Sequence, residues 1–118
     1  MEKLTHQEEE LMLIIYQCKR GFIKDFIERL EDPKPPYTTV ASVVKNLERK
    51  GYVQSKRYGN TYEYVPTLDE NDFKSGFISG VVQNYFENSY KEMVTFFAQK
   101  QKISSEELQE IIKLLEKS

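Results

Sequence analysis

The stretch "TTVASVVKNLERKGYVQSKRYGNTYEYVP", residues 38–66, restricts the possible folds more than any other part of the chain. Val40, Val43, Val44 and Leu47 fall at i, i+3, i+4 and i+7, the spacing of one buried helix face. The opposite face displays Thr38, Thr39, Ser42, Lys45, Asn46 and Arg49. β-Branched valines weaken the intrinsic propensity of such a helix, so tertiary packing must hold it. Gly51 stops it, and strands follow over 52–58 and 61–65, joined by Gly59 and Asn60. A Gly-Asn pair between two such runs marks a tight hairpin, because both residues tolerate positive φ. Lys56, Arg57 and Tyr58 flank the tip, and Pro66 ends the second strand. Tyr62 and Tyr64 alternate onto one face and are expected to pack the hairpin against the helices.

Helical patterns lie on both sides. Thr5 and Glu8 form a capping box ahead of Leu11, Ile14, Ile15 and Cys18, with Gly21 expected to close the first helix. A second helix over 22–30 should bury Ile23, Phe26, Ile27 and Leu30. Pro33, Pro35 and Pro36 then break the chain, since proline lacks the amide donor that a helix needs. From Asp69, a plausible N-cap, the pattern is purely helical. One helix carries Phe73, Phe77, Ile78, Val81, Val82, Tyr85 and Phe86, and another carries Tyr90, Met93, Val94 and Phe97. Ser104 and Glu107 form a second capping box before Leu108, Ile111, Ile112 and Leu115. The sequence is therefore expected to be mainly α with a small β-hairpin wing: a winged helix-turn-helix over 1–67, followed by a helical dimerisation domain over 68–118.

Charge narrows the function. The net charge of −2 argues against a generic nucleic-acid binder. Yet residues 33–67 hold 6 Lys/Arg against 2 Asp/Glu, a local +4, while 1–32 (5 against 8) and 68–118 (6 against 9) are each −3. A local basic face can bind a polyanion while the acidic remainder discourages indiscriminate adhesion. No apolar run approaches a membrane span and no secretory core precedes the first helix, so a cytoplasmic location is expected. Cys18, the only cysteine, agrees with a reducing compartment and reads as a small apolar residue on the first helix. His6 has no ligand-spaced neighbour, Asp69 and Asp72 read as helix-start residues, and no phosphate-cradling glycine loop is present. Neither an enzyme, a metal site nor a cofactor is expected.

Three helices and a hairpin in this order suit a helix that enters the major groove beside a wing that lies on the flanking backbone. Thr38, Thr39, Ser42 and Asn46 are short enough to approach base edges. Lys45, Arg49, Lys56 and Arg57 would neutralise phosphates, with Tyr58 and Asn60 near them at the wing tip. A solvated helix face has a similar composition, and a basic hairpin is usually only a hairpin. It is the ordered conjunction on the only net-positive third of the chain that favours double-stranded DNA. The alternative is a winged-helix protein-interaction module within a larger assembly. About 50 residues in three helices make a poor core alone, so Phe73, Phe77, Val81, Met93, Ile111 and Leu115 are candidate core or seam residues against a second copy.

The chain also resembles a known family. Leu4-Thr5 with Glu8 to Met12, the "TTV…L…KGYV" segment over 38–53, "YEYVP" over 62–66, and Met93-Val94 through Leu115 are similar to the BlaI/MecI/CopY family of bacterial repressors. The resemblance runs over nearly the whole chain. It implies a winged-helix N-terminal domain, a helical dimerisation domain, and dimeric repression of palindromic operators in antibiotic-response or related operons. It places base reading on Thr39 and Ser42, and it puts Asn46 where the family usually carries arginine. It further implies relief by a membrane sensor-protease system that cuts the dimerisation domain. The matching bond lies between Phe96 and Phe97, where the family typically shows Asn-Phe. The copper-sensing branch carries C-terminal cysteine pairs that this chain lacks, so a copper response is not expected.

Overall fold

The structure, a computed structural model, describes residues 2–116, so positions 1, 117 and 118 at the ends of the expected domains lie outside it. The chain divides into two compact units, Met1–Phe73 and Lys74–Ser118.

In the first unit, α1 (His6–Cys18) opens with the expected capping box. The Glu8 amide donates to Thr5 Oγ1 at 3.2 Å, and the Thr5 amide donates to Glu8 Oε1 at 2.9 Å. Gly21 does not close this helix. Lys19 makes the turn with a φ of 68°, and Gly21 exchanges two backbone hydrogen bonds with Tyr64, at 3.1 and 2.7 Å. The reason for glycine at position 21 is close approach, since a Cβ there would stand 3.1 Å from the Phe26 ring.

The second helix, α2 (Ile23–Glu28), is shorter than expected. The Phe22 amide donates to Asp25 Oδ2 at 2.8 Å at its start. Lys34 donates to the carbonyls of Leu30 and Glu28 (2.7 and 3.3 Å) just past its end. Ile23 and Phe26 are buried, whereas Ile27 and Leu30 lie beyond or at the edge of the helix face and are half-buried.

Helix α3 (Tyr37–Arg49) follows Pro36 and buries Val40, Val44 and Leu47, with Val43 half-buried. Gly51 ends it as expected, with a φ of 88°. The Tyr52 amide donates to Leu47 O (2.9 Å) and the Gly51 amide to Glu48 O (3.0 Å), the paired bonds of a Schellman cap.

The hairpin pairs β1 (Val53–Tyr58) with β2 (Thr61–Pro66) in antiparallel register, from Val53↔Pro66 to Tyr58↔Thr61. Gly59 alone takes positive φ (59°), the pattern of a II′ turn, and Asn60 does not share it. The expectation that both hairpin tyrosines pack inward is corrected. Tyr64 is buried, but Tyr62 is 47% exposed. Both share a face, yet Tyr62 pairs with Arg57 one step nearer the tip, where the strands overhang the core.

Phe26, Met12, Ile15, Leu47, Val44 and Val53 are fully buried at the centre of this unit. Each contributes about 1.5–3 kcal/mol on removal from water. A charged pair joins them: Lys50 Nζ lies 2.6 Å from Glu8 Oε1, with both side chains almost wholly buried. Burial pushes the Glu8 carboxyl up, but hydrogen bonds from Lys50 and Thr5 and the Lys50 charge carry it below its ordinary value.

Helix α4 (Glu70–Tyr85) begins at Asp69, whose carboxylate accepts from the Asn71 amide at 3.1 Å, as an N-cap should. Phe73, in its first turn, belongs to the core of the first unit. It packs on Tyr16 (5.4 Å between ring centroids) and edge-on to Tyr52 (6.2 Å).

The second unit holds the rest of α4 with α5 (Tyr90–Gln99) and α6 (Ser105–Glu116). Ser89 caps α5, and the expected Ser104–Glu107 box caps α6 with bonds of 2.9 and 3.0 Å. Among the described residues of this unit, only Val82 is a buried hydrophobic side chain.

Candidate nucleic-acid interface

The side chains singled out on α3 occupy one arc. At 100° per residue, Lys45, Thr38, Arg49, Ser42, Asn46 and Thr39 succeed one another around about 120° of the helix. Val40, Val44 and Leu47 hold the opposite side in the core. All six arc residues are exposed. Thr38, Thr39, Ser42, Lys45 and Asn46 make no side-chain hydrogen bond among the described residues, so their donors and acceptors face solvent. Arg49 differs, since its Nη1 lies 3.4 Å from the Glu2 carboxylate.

The wing is fixed to this helix at its base, where the Ser55 hydroxyl donates to the Glu48 carboxylate. Lys56, Arg57, Tyr58 and Asn60 are all exposed. The strand pleat sends Lys56 and Arg57 to opposite faces. Arg57 shares the face of Ser55 and Tyr64, and its Nε donates to Gly59 O at 2.8 Å. Lys56 lies over the Tyr58 ring at 5.3 Å, and that ring stands edge-on to Phe22 at 6.2 Å. The two wing cations therefore address different surfaces, a distinction that net charge alone does not draw.

Sequence pattern gave no sign of the contacts on the N-terminal arm. The Tyr52 hydroxyl donates to Glu2 O at 2.7 Å, and Lys50 Nζ donates to Lys3 O at 3.1 Å. These pairs are separated by 50 and 47 positions, so no helical or strand period connects them. Lys50, which follows the last residue of α3, is buried against Glu8.

The residues proposed for a subunit seam are divided. Phe73 lies in the core of the first unit. In the second unit, Phe77, Ile111 and Leu115 are exposed (44, 46 and 68%), and Val81 and Met93 are half-buried. Phe96 and Phe97 lie toward the C-terminal end of α5, both exposed, with the Phe96 ring 5.6 Å from that of Phe86. Among the described residues, no cluster of three or more His, Cys, Asp or Glu could hold a metal, and no helix is long and apolar enough to cross a membrane.

Comparison with known proteins agrees with this geometry. The methicillin resistance regulatory protein MecI of Staphylococcus aureus is 22% identical over 116 residues, covering 98% of this chain and 94% of that protein. The penicillinase repressor of Bacillus licheniformis is 23% identical over 119 residues, covering 97% and 90%. The solution structure of the DNA-binding domain of the repressor BlaI superposes with a TM-score of 0.52 at 24% identity, over 61% of this chain and 93% of that one. That likeness establishes the winged-helix fold. The family model described as penicillinase repressor matches residues 4–117, nearly the whole chain. The chain belongs to the penicillinase repressor family of winged-helix transcriptional regulators.

Proposed function

We propose that the protein is a homodimeric repressor that reads a palindromic operator through α3 and grips the flanking backbone with the wing. The observation that carries this reading is the exposed arc of α3, whose side chains, Arg49 excepted, have no partner among the described residues, beside a basic hairpin. Thr39 and Ser42 read base edges, Thr38 and Asn46 support them, and Lys45, Arg49, Lys56 and Arg57 meet phosphates. Tyr58 and Asn60 complete the wing contact. The second unit pairs with its copy through faces that include Phe77, Val81, Met93, Ile111 and Leu115, and so sets the half-site spacing.

The names of the relatives point to antibiotic-response operons, and this chain would serve a comparable one. Relief would come from a membrane sensor-protease system that leads to cutting at or near the bond between Phe96 and Phe97. A cut in α5 would weaken the seam, and two linked half-site readers would become two weak single ones.

Selection of bound fragments from the host genome, followed by footprinting, tests the reading. Half-site centres should lie about one helical turn, or a multiple of it, apart. Thr39→Ala or Ser42→Ala should cost about 1–3 kcal/mol on the selected operator and little on random DNA. Lys56→Ala or Arg57→Ala should weaken both alike and flatten the salt dependence. Equal losses on both DNAs for all four variants would defeat this division of labour. Mass spectrometry of the chain after full derepression tests relief, and an intact chain would rule out proteolysis.

A further inference from the structure

Of the two cations on the exposed arc of α3, only Arg49 has an anion beside it among the described residues, the Glu2 carboxylate at 3.4 Å. An exposed pair of this kind ordinarily contributes little, because two long side chains must be ordered in water to make it. Here the backbone of one partner is held by other bonds. The Tyr52 hydroxyl donates to Glu2 O (2.7 Å) and Lys50 donates to Lys3 O (3.1 Å). Leu4 is buried, and Thr5 is fixed as the cap of α1. Lys50 in turn is anchored by the buried Glu8. Residues 2–5 therefore lie along the C-terminal end of α3, and they hold a carboxylate where Arg49 would meet DNA.

We propose that Glu2 is an internal competitor for the DNA backbone. Its carboxylate occupies Arg49 in the free protein, and a phosphate oxygen displaces it when α3 docks. The inference rests on the DNA reading given above. Exchange of one anion for another reduces the net gain from Arg49 on every sequence alike. It lowers retention on random DNA without touching Thr39 or Ser42, and it makes the salt dependence shallower than the number of phosphate contacts implies.

The test measures binding of the full chain, Glu2→Gln, Arg49→Ala and the double variant to a random-sequence duplex at low salt. Glu2→Gln should bind about two- to five-fold more tightly, the range open to an exposed pair. That gain should vanish in the Arg49→Ala background, because the competitor acts only through that guanidinium. An equal gain in the Arg49→Ala background would show through-space repulsion between Glu2 and DNA, and would overturn the proposal. So would the absence of any gain while the unaltered chain binds. An unaltered chain that retains no duplex, random or selected, would overturn the DNA reading itself and this inference with it.

Discussion

The two units handle their apolar side chains in opposite ways. The first closes a core of its own: Phe26, Met12, Ile15, Leu47, Val44 and Val53 are fully buried, and among its described residues the exposed large hydrophobics are limited to Leu13, Tyr37, Tyr58 and Tyr62. The second hides Val82 and leaves Phe77, Tyr85, Ile111, Ile112, Leu114 and Leu115 open, along with others on the same helices. Both are built from capped amphipathic helices, so local propensity does not separate them. The difference is what each face has to pack on. A three-helix bundle with a hairpin across it covers every stripe, whereas three short helices alone cannot. Exposed apolar faces of that kind are what the proposed pairing of the second unit with its copy would cover.

The largest expected effect tests that contrast directly. Ile111→Asp should convert a dimer to a monomer in light scattering and lower operator affinity by about 10²–10⁴-fold, the factor lost with linkage of two sites. Leu13→Asp, an equally exposed apolar position on the first unit, should change neither. If both dissociate the protein, the contrast between units fails.

Next come substitutions inside the closed core. Phe26→Ala should cost about 3–5 kcal/mol in denaturant unfolding. Lys50→Ala should cost a comparable amount, about 3–5 kcal/mol, because it leaves the Glu8 carboxylate buried without its partner. The Glu8 carboxyl is lower in the folded protein, so its contribution is complete above the ordinary carboxylate range. It is lost as pH falls through the folded value.

A smaller effect is expected at the hydroxyl of Tyr16, which donates to Leu68 O at 2.9 Å. Tyr16→Phe should cost about 1 kcal/mol. Burial, followed by the charges of Asp69, Glu70 and Asp72, pushes this hydroxyl from 10.0 up to about 12. The folded protein then keeps a proton that the unfolded chain releases. Its share of stability is complete below about pH 10 and is lost as pH rises toward about 12. Unfolding curves across that range should fall less steeply for Tyr16→Phe. The smallest effect belongs to the hairpin. Tyr62→Ala should change stability by no more than about 0.5 kcal/mol, against several times that for Tyr64→Ala.

The parts of this fold legible in the sequence are those written in short-range chemistry. Thr5 with Glu8, Ser104 with Glu107, Asp69 and Gly51 each announce a helix end through one local bond or one backbone angle, and each appears in place. The stripe of α3 is likewise set by a 3.6-residue period, and the exposed arc opposite it follows from the same count. What could not be read depends on residues brought together from afar. Gly21 looked like a helix stop because its partner, Tyr64, lies 43 positions away. Phe73, read as a core or seam residue of the second domain, has its ring partners, Tyr16 and Tyr52, far away in sequence within the first unit. Tyr62 and Tyr64 have the same alternation, and only the extent of the core beneath the strands separates them. In the candidate interface, the arc was visible, while the arm laid on Arg49 was not.

The bridge between Gly21 and Tyr64 bears on colloidal behaviour as well as on the fold. A two-stranded hairpin leaves two rows of backbone amides and carbonyls that can recruit a strand from another molecule. Gly21 occupies part of the outer row of β2 with both of its peptide groups, at the point where the strand carries its buried tyrosine. A Cβ there would stand 3.1 Å from the Phe26 ring and 3.2 Å from the Asp25 carboxylate, so a bulkier residue keeps the bridge only if these neighbours give way. Release would uncover an open edge on a strand that carries two tyrosines and a valine. One glycine, with no side chain of its own, thus covers part of an edge that would otherwise be open to pairing.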